Sequence, residues 1–388
     1  MNNRHPRAAG IAACLSCFLL LVSAIGLPAE DKIIIKTENG IPVVYNPKNP
    51  APPDGSPRSL ILQHELTIGE DDTDPNSMFS KLRSIHVDDQ ENIYALDTKE
   101  TKVKVFDKNG KFLRSFGKKG QGPGEIERPY RMEMSGDNRL VIADMGNNKL
   151  VYFGLDGSLV KELPAGKNWA LARLKFDSKS NIYAETRTFE ETKWTSELNK
   201  FDPDFRPLAT FNSFEEKRPD PRLVRAFSPV FSFQIRSDDL LVWTIAQGDK
   251  YEFAICDGTG KTIKRFNRAY DLVKIPGTIK DRLHREIWGD EGIPPDIKFE
   301  IPNHFPSLDY FIIGDEDRLF VRTYAYEEKE GDHWLYHDVF DAEGLYIARF
   351  LLPEREMVFQ AKKGKLYCLI QESEEGIPLV KRYQMNWN

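Results

Sequence analysis

The 388-residue chain predicts an all-β fold: a six-bladed β-propeller of four-stranded antiparallel blades, closed by an N-terminal strand that completes the last blade. Three observations predict it. Two short apolar strands around a polar turn recur six times. A second strand pair, built on an Asp/Gly turn, follows most copies. The last copy lacks one strand, and an unassigned strand precedes the first copy.

The first pair is clearest in SIHVDDQENIYALD (84–97), RMEMSGDNRLVIAD (131–144) and RLKFDSKSNIYAE (173–185). It recurs more weakly in SFQIRSDDLLVWT (232–244), YFIIGDEDRLFVR (310–322) and MVFQAKKGKLYCL (357–369). The second pair appears in VKVFDKNGKFLRSFG, LVYFGLDGSLVKEL, LNKFDPDFRPLATF, FAICDGTGKTIKRF and HDVFDAEGLYIARF. Apolar alternation on both sides of such turns is a hairpin signal. Two hairpins in a unit of roughly 40–50 residues describe a propeller blade. Second strands aligned on Ile93, Leu140, Ile182, Leu241, Leu319 and Leu366 are spaced 47, 42, 59, 78 and 47 residues apart, which places the largest insertion between units four and five. The sixth unit ends one strand short, and SLILQHELTIG (59–69) supplies it, removing the exposed edges of the first and last blades.

The domain reading is a signal peptide over 1–26, an arm over 27–58 with an Asn39-Gly40 hairpin turn and a proline-rich linker, and a propeller over 59–388 with a long insertion at 267–309. Arg4 and Arg7 precede an apolar run from Ala8 to Ile25 that ends in small residues, the pattern of a secretory signal. A retained membrane anchor is the rival reading. Lipidation at Cys14 or Cys17 fits less well, because the apolar run continues past both. No later segment is apolar enough to span a bilayer. The expected destination is periplasmic or extracellular. Cys256 and Cys368 sit in apolar strands of different units, which predicts two buried free thiols. A net charge of −6 argues against a nucleic-acid partner.

The stretch FGKKGQGPGE (116–125) has the glycines and lysines of a phosphate loop, but it leads from strand to strand and matches neither phosphate-binding spacing. It reads as an inter-blade turn whose glycines permit positive φ.

Blade one, LDTKETKVKVFDKNGKFLRSFGKKGQGPGE, and blade two, IADMGNNKLVYFGLDG, resemble bacterial six-bladed propellers related to NHL repeats, over residues 59–165. Asp144 and Asn147-Asn148 match that pattern, while blade one keeps Asp97 but has Glu100-Thr101 in place of the paired Asn. The resemblance implies mainly structural roles for these positions. It also implies a family that includes binding modules and a few enzymes, lyases and lactonases, so it does not settle function. Lactonase-like members hold calcium in the channel through oxygen ligands, for which Glu133 and Asp144 are the candidates here. No other cofactor is expected.

Links between strands two and three and between blades share one face, and the long segments lie there: 185–194, 213–229, 267–309 and 325–334. A short amphipathic helix is expected near Thr278 to Trp288. Insertions on one face of a repeat fold mark its working side. Arg131 and Arg173 begin the innermost strands of blades two and three, and Arg83, Tyr130 and Trp288 lie in flanking segments. Arginine with aromatics suits anionic or glycan-like ligands and protein hot spots, although the same arginines could pair with nearby acids. His86, Glu133, Lys175, Gln234, Ile312 and Phe359 share one position along the innermost strands, which is not a metal ring. No nucleophile motif or paired-carboxylate signature stands out. The expected function is an exported binding module for a ligand, a glycan or an envelope protein, acting as a monomer. The alternative is a metal-assisted propeller enzyme of lactonase or lyase type.

Overall fold

The computed structural model describes residues 32–388 except 72, 166–168, 218, 219, 221, 247, 249, 290, 291 and 330, and not the side chains of 169–172. The expected signal peptide, 1–26, lies outside the described residues. The fold is an all-β propeller of six blades. The innermost strands are Leu82–Val87, Pro129–Met134, Trp169–Phe176, Phe231–Ile235, Tyr310–Ile313 and Glu356–Lys362. Each touches the next around the ring, and the sixth touches the first. Leu60–Ile68 pairs antiparallel with Leu379–Trp387 and is the outer strand of blade six.

Turn chemistry explains the hairpins. In blade one the Asp107 carboxylate accepts the N–H of Asn109 at 2.8 Å and of Lys111 at 2.9 Å, and Gly110 takes a φ of 82°. Asp202, Asp257 and Asp341 do the same in blades three, four and five. Such side-chain acceptors stabilise the turn; glycine takes the left-handed position in blades one, four and five, and Phe205 takes it in blade three at a φ of 67°. Blades are held to one another by apolar surface. One cluster fills each of the six interfaces, for example Val103, Val105, Met132 and Ile142 between blades one and two. Cys256 and Cys368 are buried free thiols in blades four and six.

Two segments read as loops are strands. Ile182–Phe189 pairs with Lys193–Phe201, and Leu319–Lys329 with Asp332–Phe340, so 185–194 and 325–334 are the tips of long hairpins. Cross-strand pairs carry them outward: Thr188 faces Thr195, and Phe189 meets Trp194 edge-on at 5.1 Å. Residues of 213–229 also join strands, since Pro207–Lys217 extends blade three and Leu223–Arg225 pairs in parallel with Lys298–Glu300. The helix in the link between blades four and five spans Gly277–Trp288. The FGKKGQGPGE stretch is an inter-blade turn in which Glu125 folds back onto Lys118 at 2.6 Å and the Gly122 N–H at 3.0 Å. Gly120 takes a φ of 153°, a conformation that side-chain-bearing residues rarely adopt.

The N-terminal hairpin, Ile34–Glu38 and Ile41–Asn46, turns at Asn39-Gly40 and docks in parallel on the outer strand of blade four, giving that sheet six strands. Asn46 then bridges to blade five, donating to the Gly344 carbonyl at 2.8 Å and accepting the Tyr346 N–H at 2.8 Å. Beneath it the fully buried Asp338 accepts hydrogen bonds from Arg268 at 2.8 Å, Tyr346 at 2.6 Å and Tyr251 at 2.9 Å. Removing one partner of a buried pair strands the other charge. Asp338→Ala is therefore expected to lower stability by about 3–5 kcal/mol in chemical denaturation, and a loss below about 1 kcal/mol would show that the node is not structural.

Candidate functional site

The upper ends of the innermost strands surround a cavity of about 630 Å³ on the ring axis. Arg83, Tyr130, Arg131 and Arg173 all line it, together with Lys175 and Arg225. Local irregularities aim two of them. The first strand of blade one slips register between Leu82 and Ser84, and that of blade two between Pro129 and Arg131, so Arg83 and Tyr130 are the extra residues of equivalent bulges. Bulges re-aim side chains next to sites. The Arg83 guanidinium lies 4.6 Å from the Tyr130 ring centroid, a cation–π contact. Blade six slips between Val358 and Gln360, so the residue level with His86 and Glu133 is Gln360 and not Phe359. Phe359, the bulged residue, lines the cavity and lies 5.7 Å from the Arg131 guanidinium. Nothing local marks a bulge in sequence, so Arg83 and Tyr130 read only as flanking candidates and Phe359 as level with His86.

Charges in the cavity are unevenly matched. Glu133 holds both Arg131 at 2.6 Å and Lys175 at 2.9 Å. Burial alone would raise the Glu133 pKa, but Lys175 and Arg131 outweigh it and hold the carboxyl below its usual range. Burial pulls the Lys175 ammonium down, with Glu133 opposing. Glu185, fully buried, holds Arg173 at 3.4 Å and Arg187 at 2.9 Å. Sequence reasoning missed Glu185, although a signal existed: it stands where blades one and two have Leu96 and Ala143. Two carboxylates thus serve four cations. Arg83 has no ion-pair partner among the described residues. Arg225 pairs with Glu300 at 3.4 Å, which Lys298 shares at 2.7 Å, and with Glu216 at 3.9 Å.

The other candidates lie elsewhere. Trp288 packs edge-on against Phe299 at the end of the helix and does not line the cavity. Asp144 is fully buried and accepts the N–H groups of Glu127, Arg128 and Gly146 at 2.9–3.0 Å, tying the start of blade two to its second turn. Glu133 and Asp144 therefore do not converge: one is claimed by cations on the axis, the other by backbone N–H groups. A smaller pocket of about 190 Å³ lies between the helix and the blade five–six link. It shares Phe227, Asp309 and Tyr324 with the main cavity, and the Phe305 ring stacks on Tyr324 at 4.4 Å. The helix is tied down there by Arg282 and Glu354 at 2.6 Å.

Residues 72–230, which span blades one to three, match the family described as DUF5128, 6-bladed beta-propeller. No curated protein matches the sequence significantly. Among solved structures, a Bacteroides fragilis protein whose name proposes export aligns with a TM-score of 0.54 at 13% identity, over 89% of this chain and 99% of its own. A duf4221 family member from Bacteroides vulgatus aligns at 0.50 and 10% identity, over 85% and 99%. A PQQ-bound aldose sugar dehydrogenase from Streptomyces coelicolor aligns at 0.47 and 10% identity, over 86% and 100%. At these identities the likeness is one of fold. No helix among the described residues is long and apolar enough to cross a membrane.

The axis also carries a pH signature. A histidine ordinarily titrates near 6.5, and burial lowers His86 to about 4. Between those values the unfolded chain binds a proton that the folded protein does not, so stability falls as pH drops from 6.5 to 4 and levels off below. His337, pulled down to about 3 by burial, adds to the same slope. His86→Gln is expected to flatten part of the acid limb of a stability–pH profile, and an unchanged limb would contradict a His86 held neutral in the folded protein.

Proposed function

We propose that the protein is an exported binding module that takes a small anionic ligand in its axial cavity. The observation that carries this reading is the surplus of cations. Arg83, Arg131, Arg173 and Lys175 come from three successive blades; the last three share two carboxylates, one of which also serves Arg187, and Arg83 has no ion-pair partner among the described residues. Partly desolvated guanidinium groups gain most from an anion able to accept two N–H bonds at once. A volume of about 630 Å³ falls in the usual range for small-molecule sites. Rigid inner strands hold the cations before any ligand arrives, which reduces the ordering cost of binding.

Export is part of the proposal and rests on the positive, apolar, small-residue pattern of residues 1–26. Mass spectrometry of the protein recovered from its producing cells should show a chain starting close to residue 27, and an intact N-terminus would remove this part. For the cavity, calorimetric titration with citrate, glucuronate and benzoate should give saturable binding to at least one. That binding should weaken at high salt. Arg83→Gln, Arg131→Gln and Arg173→Gln should each reduce it about tenfold or more, the loss of one charge-assisted pair. Retained affinity in all three variants would overturn the assignment of the site.

A further inference from the structure

The cavity wall is divided by blade. Every cation on it comes from blades one to three or from the link that follows them: Arg83, Arg131, Arg173, Lys175 and Arg225. Blades four to six and the link between four and five contribute none. Their share is apolar or aromatic, with Tyr310, Ile312, Met357 and Phe359 among the lining, interspersed with the neutral polar groups of Ser232, Gln234 and Gln371. The one carboxylate on that side is Asp309, whose pKa is raised by burial, with Arg322 opposing. A ligand filling the space therefore meets cations on one side and apolar surface with scattered hydrogen-bonding groups on the other.

A symmetrical inorganic anion or a ringless polyacid uses only the first half. It leaves the aromatic half wet or forces charge against it, and burying charge without a partner is costly. A neutral ring uses only the second half and leaves the guanidinium groups partly desolvated without an acceptor. Resting on the anion-binding reading above, we infer that the cavity selects a ring-bearing monoanion. One carboxylate or sulfate faces Arg83, Arg131 and Arg173, and the apolar face of a flat or chair-shaped ring packs against Phe359, Met357 and Tyr310. Acidic sugars and aryl acids share this chemistry. Ring hydroxyls would find partners in Ser232, Gln234 and Gln371, and an aromatic ring would use the Tyr310 and Phe359 faces.

The test is calorimetric titration of the chain from residue 32 onward with benzoate, glucuronate, benzyl alcohol, glucose, succinate and sulfate. At least one of benzoate and glucuronate is expected to bind ten-fold or more tighter than succinate, sulfate and its own uncharged counterpart, and the tighter of the two names the source of the ring. Phe359→Ala should weaken that ring-bearing anion about tenfold while leaving weak sulfate binding unchanged. Because Phe359 contacts Arg131, Phe359→Leu serves as the milder variant, and a thermal melt of each variant confirms folding. Sulfate or succinate binding as tightly as both ring-bearing anions, with arginine dependence intact, would overturn this inference and leave the anion site standing. Binding that ignores the arginine substitutions would overturn both, as would no binding by any probe.

Discussion

Strand Leu60–Ile68 lies against Leu379–Trp387, and everything at the centre of the molecule depends on that pairing. It joins the beginning of the ring to its end, so that blade six can press on blade one through Tyr367, Leu369, Ile85 and Val87. Arg382 reinforces the seam by pairing with Glu65 of the added strand at 3.0 Å. Without this strand, blade six would present an open edge, and its seam with blade one would lose the packing of Ile68 and the Arg382–Glu65 pair. The axial cavity is not built by any one blade. It exists because six inner strands are forced to face a common axis, and that constraint is a property of closure.

Closure also explains how so many cations are tolerated. Placing Arg131, Lys175 and Arg173 around one axis brings like charges together, and the chain answers with acids on the same or the neighbouring strand: Glu133 between Arg131 and Lys175, Glu185 between Arg173 and Arg187. The compensation is incomplete. A wholly neutralised axis would serve stability better, because each partly buried charge without a full complement of partners is a cost. The remaining imbalance is confined to one half of the cavity, and the other half carries the apolar surface. A purely structural arrangement has no reason to keep that division.

The architecture was legible in the sequence because it is specified by short-range chemistry repeated six times. Asp107, Asp202, Asp257 and Asp341 fix the outer hairpins through hydrogen bonds within four residues, and such signals survive in a one-dimensional pattern. Arg83, Tyr130, Arg131 and Arg173 were legible as a group because they sit near the ends of aligned strands. Features set by long-range packing were not. The bulges at Arg83, Tyr130 and Phe359 change which side chain faces the axis without changing composition. The reach of the hairpins at 185–194 and 325–334 depends on cross-strand pairs such as Phe189 with Trp194, which look like loop residues when read singly. Trp288 was grouped with the arginines by its place in a long insertion, yet its neighbour is Phe299 in the same insertion.

The N-terminal arm shows why rigidity is distributed as it is. Its hairpin extends blade four to six strands, and Asn46 fastens it to blade five above the Asp338 node. Several aromatics pack at the interface between blades four and five, including the stacked pair Phe253 and Phe266 at 4.8 Å. The same interface is where the long insertion leaves the ring and where the helix caps the smaller pocket. An insertion of that length breaks the short link that joins other blades, so the interface beneath it must hold by side-chain packing and buried hydrogen bonds. The apolar half of the cavity is formed by the inner strands of these blades and the next. Its shape is therefore as fixed as that of the cationic half, and the two halves meet an incoming molecule as one preformed surface.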